Sequence, residues 1–502
     1  MLRPWSKLVF LPCLFLAVAS YARPQANPPI AGPLVASDNP HYFQDANGRA
    51  LILNGSQSWN TLQDFGTGGE PQVLDFDAFV KFLTRHGHNF TLLWSVEMPK
   101  FCNHPNTISP PFPPYTVRPL PWERTGPGMA TDGGLKFDLT KFNQGYFERL
   151  RARVQALKDA GIYAGVYLFT GEYLLKYRCS TDGYPLTGAN NINGIDDGYE
   201  SGKAGINAVT MTAPNAITRV QDAYVEKVID TLNDLPNVLW IVSEEAPPNS
   251  TWWNNHQIAH IRAYESRKRH QHPIGYATLT RAPDAILYNS DADWVAPQVR
   301  VSPTSSCGSG KPACKVNIND SDHSYWRIWR DTPQQNRSWA WENFMNGNQV
   351  LFMDPYRIYY PRENRNLCIS PKDGVCAAPD ARWDNLRDNL GYILKYSREL
   401  NLAQMIPRGS LASTGYCLAS TPRLGTKYLV YAPAGGSFTV NLSALSNSTT
   451  LRVEWFNPST GAAIAGKLIP GGSSSLTFSP PFSGDAVLYL AGENGSAKPG
   501  SR

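Results

Sequence analysis

The chain has 502 residues, of which 42% are hydrophobic and 17% charged, and its formal net charge is +5 at pH 7. This length predicts two to four domains, or one large barrel with a smaller partner. The composition excludes disordered and fibrous proteins. Because Lys and Arg are scattered along the chain, the charge does not indicate a nucleic-acid-binding face.

The first 22 residues have the order of charge and hydrophobicity that is typical of an export signal. Arg3 and Lys7 precede an apolar run over residues 8–19, and the small residues Ser20 and Ala22 follow it. We therefore expect residues 1–22 to be removed and the protein to be secreted or periplasmic. No later stretch approaches the roughly 18 consecutive apolar residues of a membrane helix, so we expect no membrane contact beyond the signal.

Seven cysteines lie beyond the signal, and in an oxidising compartment they are expected to form disulfides. The expected pairs are Cys307 with Cys314, Cys368 with Cys376, and Cys102 with Cys179. Cys417 is left over, and its apolar surroundings predict a free, buried thiol. None of the spacings is the CxxC that indicates a zinc site.

From about residue 50 to 400, short apolar runs alternate with amphipathic stretches, which is typical of a parallel sheet covered by helices. The eight runs are residues 51–53, 89–95, 163–169, 238–242, 274–277, 294–297, 316–318 and 350–353. They predict a (β/α)8 TIM barrel over residues 23–406. Apolar residues at helical spacing support the intervening helices, and a last helix is predicted over residues 383–400.

After residue 406 the helical periodicity ends, and short alternating segments separated by turn residues follow. These segments are residues 428–431, 438–442, 451–456, 475–478 and 487–490. They predict a small antiparallel β-sandwich over residues 407–492 and a flexible tail over residues 493–502.

Acidic and aromatic residues follow the predicted strands, at the barrel end where active sites lie. In chain order they are Trp59, Asn60, Trp94, Glu97, Glu172, Glu244, Glu245, Asp320, Asp322, His323, Asp354 and Tyr356. Any one such acid is more often a helix cap or a solvated residue, but the cluster is the stronger signal. Glycoside hydrolysis needs one acid to protonate the leaving oxygen and a second carboxylate at the anomeric centre. Strand alternation predicts that Glu244 and Glu245 point in opposite directions, and that Asp320 and Asp322 share a face.

Other reaction classes have weaker support in the sequence. His256 and His260 are four residues apart on a predicted helix, but the HExxH pattern of zinc proteases is absent. The sequence also lacks GxSxG and GxGxxG motifs. Asp320, Asp322 and His323 could bind a metal, although this pattern is a weak signal, and we expect neither a metal nor a cofactor.

Six segments together resemble the apiosidase-like glycoside hydrolases, a family of clan A barrels. The segments are residues 55–64 (GSQSWNTLQD), 88–94 (HNFTLLW), 189–196 (ANNINGID), 237–246 (NVLWIVSEEA), 319–323 (NDSDH) and 352–356 (FMDPY). The C-terminal stretch resembles a module named the putative collagen-binding domain of collagenases. The resemblance implies a carbohydrate substrate, with Glu245 as acid/base and Asp320 as nucleophile. Asp322 is the reserve nucleophile, and Glu244 and His323 are possible catalytic or supporting residues.

Three positions depart from the family pattern. Gln57, Leu92 and Glu244 stand where relatives usually have His, Arg and Asn. With the export signal, the resemblance implies a secreted glycoside hydrolase acting on plant or microbial polysaccharide, with pectic side chains as one substrate class. We expect it to retain the anomeric configuration; a gap of about 5 to 5.5 Å between the carboxylates would fit retention, and about 6.5 to 9.5 Å would fit inversion. The departures support the alternative of a catalytically impaired carbohydrate-binding or adhesion protein. The oligomeric state is not predicted.

Overall fold

The structure is a computed structural model that describes residues 20–21, 26–67, 71, 73–101, 115–171, 183–198, 206–302, 315–356, 379–420 and 426–492. Glu172, the six cysteines predicted to pair, the tail, and the signal other than Ser20–Tyr21 lie outside these residues. Ser20–Tyr21 pairs antiparallel with residues 462–463. Among the described residues, no helix combines the length and apolarity needed to cross a membrane.

Eight parallel strands form one sheet that closes into the predicted (β/α)8 barrel. The strands are β1 (Gly55–Gln57), β2 (Phe90–Leu93), β3 (Tyr163–Thr170), β4 (Val238–Glu244), β5 (Ile274–Ala277), β6 (Trp294–Ala296), β7 (Val316–Asp320) and β8 (Gln349–Met353). Hydrogen-bonded neighbours follow the order β1-β8-β7-β6-β5-β4-β3-β2. All eight carboxyl ends therefore meet at one end of the barrel.

The barrel closes where β1 approaches β2. The Asn89 N–H donates to the carbonyl oxygen of Asn54 at 3.1 Å, and the Asn54 N–H donates to Oδ1 of Asn89 at 2.9 Å. A Cβ at Gly55 would lie 1.9 Å from the carbonyl oxygen of Phe90. Only glycine allows the two backbones to come this close.

The prediction that residues 51–53 form the first barrel strand is wrong. Ala50–Leu51 instead pairs with Phe43–Gln44, which also pairs with Val35–Ala36 in a small antiparallel sheet. The first barrel strand instead begins at Gly55, and its sequence Gly-Ser-Gln is polar. Gly55 lies at the seam, and Gln57 lies at the polar, carboxyl end of the barrel. The other seven runs each fall on a barrel strand, which confirms those predictions.

Helices follow the barrel strands along the chain. They are α1 (Phe76–Arg85), α2 (Gln144–Asp159), α3 (Ala216–Leu232), α4 (Thr251–Glu265), α5 (Ala285–Asn289), α6 (Ser321–Ser324), α7 (Pro333–Met345) and α8 (Asp384–Glu399). In α2 and α3 the residues with apolar helical spacing are buried, as predicted. Between β2 and α2 the chain forms a hairpin of Trp122–Met129 with Leu135–Phe142, at the same end of the barrel as the strand ends.

The C-terminal region forms antiparallel sheets, as predicted. Its strands are β9 (Met405–Pro407), β10 (Cys417–Ser420), β11 (Lys427–Ala432), β12 (Phe438–Val440), β13 (Thr450–Asn457), β14 (Ala462–Ala465), β15 (Leu476–Phe478) and β16 (Ala486–Gly492), and Ile469–Pro470 pairs with β13. The main sheet has the order β9-β10-β11-β16-β13-β14, and β12 pairs with β15. Cys417 is a free, buried thiol, which confirms that prediction.

The sandwich packs against helices α7 and α8 of the barrel. Arg337 on α7 forms a buried ion pair with Asp485, at 2.6 Å between Nη2 and Oδ1. The rings of Trp341 and Tyr431 stack with centroids 6.0 Å apart. Buried residues of β11, β13 and β16 belong to the same hydrophobic core as the barrel helices. The sandwich is thereby joined to the barrel by both apolar packing and a desolvated charge pair.

Candidate active site

A cluster of carboxylates lies at the carboxyl end of the barrel. Glu244 is the last residue of β4 and Asp320 is the last residue of β7. Glu245 follows β4, while Asp322 and His323 lie on the short helix α6 that follows β7. The structure therefore brings together the five ionisable residues that the sequence placed on the fourth and seventh strand ends.

Glu244 and His323 form a buried contact at the centre of this cluster. Nε2 of His323 lies against Oε1 of Glu244, and both side chains are at most 1% exposed. Burial raises the pKa of Glu244, and His323 opposes that effect. Burial lowers the pKa of His323, but the adjacent carboxylates outweigh it and hold the pKa well above its usual value. This pairing favours a carboxylate and an imidazolium in close contact.

Glu245 adopts a backbone conformation that L-residues rarely occupy, with φ at 35°. Its carbonyl oxygen accepts a hydrogen bond from the Thr280 hydroxyl at 2.7 Å. After burial, the charge of Glu245 is among the causes that raise the pKa values of both Glu244 and Asp322. The strand ends at Glu244, so the alternation predicted for Glu244 and Glu245 does not extend to Glu245, which lies in a left-handed turn. A non-glycine residue at positive φ is typical of functional sites.

Asp320 is held by two donors. Its Oδ1 accepts the Asp322 backbone N–H at 3.0 Å, and its Oδ2 lies 3.5 Å from Nε2 of Gln57. Oε1 of Gln57 in turn accepts the indole N–H of Trp94 at 2.9 Å. Burial raises the pKa of Asp320 to about 6, and these donors partly offset that effect. Gln57, which departs from the family pattern, thus orients Asp320.

Asp322 does not share a strand face with Asp320, contrary to the alternation expected from the sequence. The strand ends at Asp320, whose side chain caps α6, so Asp322 belongs to a helical turn. Asp322 is the more exposed of the two. Burial and the neighbouring charge of Glu244 raise its pKa well above the usual value.

Two aromatic rings in contact with each other lie beside the carboxylates. Trp94, directly after β2, and Tyr167 of β3 have ring centroids 4.6 Å apart with an angle of 31° between the planes. Burial raises the pKa of Tyr167, and the charges of Glu244 and Asp320 add to that effect. The sequence analysis missed Tyr167, and its inward position in β3 could have indicated it.

Three further predicted residues are buried around this end of the barrel. Trp59 and Asn60 lie on the turn Trp59–Thr61 after β1 and are 8% and 3% exposed. Glu97 lies beyond Trp94, and its Oε2 accepts the Thr170 backbone N–H at 3.1 Å. Burial raises the pKa of Glu97 to about 8.

Asp354 and Tyr356, which were predicted to bind substrate, make buried contacts within the protein. Both oxygens of Asp354 accept hydrogen bonds from Arg387, at 2.5 and 2.7 Å, and both side chains are fully buried. The ring of Tyr356 packs against Phe79 and Phe82 of α1. Asp354 thus joins β8 to α8, and Tyr356 is part of the hydrophobic core.

Leu92, which stands in place of the family's arginine, is a core residue of β2 that is 1% exposed. Among the residues that the structure describes, Glu244, Asp322 and His323 could hold a metal ion. Each of them offers one ligand atom, and these atoms all lie within 4.8 Å of one another.

Two family models match parts of the chain. Residues 109–299 match a family described as "Domain of unknown function (DUF6298)", and residues 404–491 match "Putative collagen-binding domain of a collagenase". No curated protein matches the sequence.

Solved structures resemble the whole fold at low sequence identity. One described as a glycoside hydrolase is 14% identical with a TM-score of 0.59, over 94% of this chain and 99% of the other. A glycoside hydrolase family 5 structure from Bacteroides vulgatus is 15% identical with a TM-score of 0.58, over 93% of this chain and 95% of the other. A putative glycoside hydrolase from the same organism is 15% identical with a TM-score of 0.57, over 92% and 82%. The chain therefore has the fold of these glycoside hydrolases, with a C-terminal region similar to the collagenase module.

Proposed function

We propose that this protein is a secreted glycoside hydrolase that cleaves glycosidic bonds in plant or microbial polysaccharide. The observation that carries the proposal is the convergence of Glu244, Glu245, Asp320 and Asp322 at the carboxyl end of the barrel. Carboxylates in this position are the groups that glycoside hydrolysis requires. The names of the structures with the same fold support the reaction class.

In the proposed mechanism, Glu245 is the acid/base and Asp320 is the nucleophile. Asp320 is suited to attack because Gln57 and the Asp322 N–H fix the orientation of its carboxylate. Asp320 forms a bond to the anomeric carbon as the glycosidic bond breaks, and Glu245 donates a proton to the leaving oxygen. Water, which loses a proton to Glu245, then attacks the same carbon and breaks its bond to Asp320. Two successive inversions at this carbon leave its configuration retained.

Glu244 has a supporting role in this proposal. It is paired with His323 and fully buried, whereas Glu245 is partly exposed and accessible to a substrate oxygen. Trp59, Asn60 and Trp94 shape the sugar site, since aromatic rings provide flat apolar surfaces for sugar rings. The family resemblance favours pectic side chains as substrates.

The proposal is tested by incubating the full-length protein with a panel of cell-wall polysaccharides that includes pectins and measuring the sugars released. We expect release from at least one polysaccharide, and proton NMR during early turnover should show the product with the anomeric configuration of the substrate. Inversion of configuration would refute the assignment of Asp320 as nucleophile. A protein that releases no sugar from any polysaccharide would refute the hydrolase assignment.

The second candidate function is carbohydrate binding without catalysis. It is favoured by Leu92, which replaces an arginine with a buried apolar side chain. Glycan binding in the same panel with no product from any substrate would support this function. Product release would exclude it.

A further inference from the structure

Glu244, Asp322 and His323 have the composition of a divalent-cation site. They offer two carboxylates and one imidazole, and the three ligand atoms lie within 4.8 Å of one another. Around a tetrahedral ion with bonds of about 2.0 to 2.2 Å, ligand atoms lie roughly 3.3 to 3.6 Å apart. Coordination therefore requires side-chain movement: Nε2 of His323 and Oε1 of Glu244 must separate, and any pair of ligand atoms farther apart than this must approach.

The buried polar atoms of this group are a second observation that points to a ligand. Oε2 of Glu244 is buried and has no partner at hydrogen-bonding distance and angle among the described residues, while Tyr167 interacts electrostatically with the same carboxylate. Nδ1 of His323, the ring nitrogen that does not contact Glu244, is also buried without such a partner. Unpartnered buried polar atoms of this kind are rare and call for a ligand, water or ion. Glu244 is 1% exposed, so its carboxylate is directed into the protein and not into solvent.

The charge balance at this position also favours a cation. Four carboxylates act on one another here, those of Glu244, Glu245, Asp320 and Asp322, with His323 as the basic group in contact with them. Burying several carboxylates together is costly unless positive charge compensates them. The partial exposure of Asp322 provides a route by which an ion can enter from solvent.

We propose that Glu244, Asp322 and His323 bind one divalent cation, with Zn²⁺ as the preferred ion. An imidazole with two carboxylates suits Zn²⁺ better than Mg²⁺ or Ca²⁺, which prefer oxygen ligands throughout. Because a ligating imidazole is neutral, the ion replaces the proton of His323 in its contact with Glu244, and that proton is released to solvent. Three protein ligands leave a further position for water or a substrate hydroxyl. Asp320 and Glu245 are outside this set of ligands and remain available for the proposed acid/base chemistry.

The cation site is tested by direct binding, so its outcome is separate from that of the proposed hydrolase activity. Full-length protein is stripped with EDTA, exchanged into metal-free buffer, incubated with excess ZnSO4 and desalted. Retained zinc is then measured by mass spectrometry. The same samples are heated to measure Tm with and without ZnSO4, and Mg²⁺ and Ca²⁺ are compared.

Asp322→Asn is the decisive variant because it removes a charged ligand from a partly exposed position without changing the shape of the side chain. Glu244→Gln is the second variant, and near-UV circular dichroism establishes that each variant is folded. His256→Ala is the control, because His256 pairs with Asp222 on the helix surface at 3.0 Å and could take up zinc adventitiously.

We expect wild type and His256→Ala to retain about one zinc ion per chain and to gain several degrees in Tm with ZnSO4. Asp322→Asn and Glu244→Gln should lose at least tenfold in zinc affinity and most of the Tm gain. The proposal is overturned if wild type retains no zinc, or if both ligand variants bind as much as wild type. It is also overturned if His256→Ala alone abolishes binding.

Discussion

The buried carboxyl of Glu97 predicts an unusual dependence of stability on pH. Glu97 is 2% exposed, its Oε2 accepts one backbone N–H, and its Oε1 has no partner among the described residues. Burial raises its pKa to about 8, from a usual value of 4.5. Between these two values the folded protein keeps a proton that the unfolded chain has released. The contribution of Glu97 to the free energy of unfolding therefore falls as pH rises through this range.

The size of the effect follows from the two pKa values. At 1.36 kcal/mol for each pKa unit, the full difference is about 5 kcal/mol, of which roughly 3 to 4 kcal/mol develops between pH 5 and pH 8. Glu97→Gln removes the titration but keeps an oxygen that can accept the Thr170 N–H. The free energy of unfolding of Glu97→Gln minus that of wild type should therefore increase by this amount from pH 5 to pH 8.

The assay is urea unfolding of both proteins at pH 5, 6, 7 and 8. The contributions of the titratable groups that both proteins share cancel when one free energy of unfolding is subtracted from the other. Glu123→Gln, a change to an exposed glutamate in the neighbouring hairpin, is the matched control for loss of a carboxyl. A difference between Glu97→Gln and wild type that is independent of pH would refute the reasoning. It would mean that Glu97 ionises in the folded protein as readily as in the unfolded chain.

Two further predictions concern stability. Asp354→Asn should lower the free energy of unfolding, measured with urea, by about 3 to 5 kcal/mol, because it removes the fully buried carboxylate that pairs with the buried Arg387. Asp384→Asn changes the more exposed partner of the same arginine and should cost under about 1 kcal/mol, and equal effects would contradict the assignment. Gly55→Ala should cost about 3 kcal/mol or more in the same assay, because its Cβ would meet a backbone oxygen at the barrel seam. Gly145→Ala, in a helix where a Cβ makes only an ordinary contact, should be neutral or stabilising, and a similar loss in both variants would contradict the seam argument.

Most of the barrel could be predicted because its strands are buried on both sides and appear as continuous apolar runs. The first strand could not be predicted, because its sequence Gly-Ser-Gln (Gly55–Gln57) is not an apolar run. Gly55 is required there because two backbones come close together at the seam. In the C-terminal region, β9, β10 and β14 were missed for a different reason: the sequences Met-Ile-Pro, Cys-Leu-Ala-Ser and Ala-Ala-Ile-Ala show no alternation of apolar and polar residues.

The position of the site could be predicted because the carboxyl ends of parallel strands converge. Which of its acidic residues are available to a substrate and which are paired within the protein could not be predicted. Asp354 follows a strand as the other acidic residues do, but its partner Arg387 lies 33 residues away in the sequence. Only the folded structure shows that the Asp354 carboxylate is hydrogen-bonded to this arginine. Glu245 departs from strand alternation through a left-handed backbone conformation that its sequence does not indicate.

The central claim is that Glu245 and Asp320 carry out glycosidic bond cleavage, and kcat/KM on a polysaccharide that the wild type cleaves tests it most directly. Glu245→Gln and Asp320→Asn are compared with wild type and with Glu148→Gln, an exposed change on α2. The account predicts a loss of about 10² to 10⁴-fold in each of the two site variants and wild-type activity in Glu148→Gln. Activity within a few-fold of wild type in either Glu245→Gln or Asp320→Asn would contradict it.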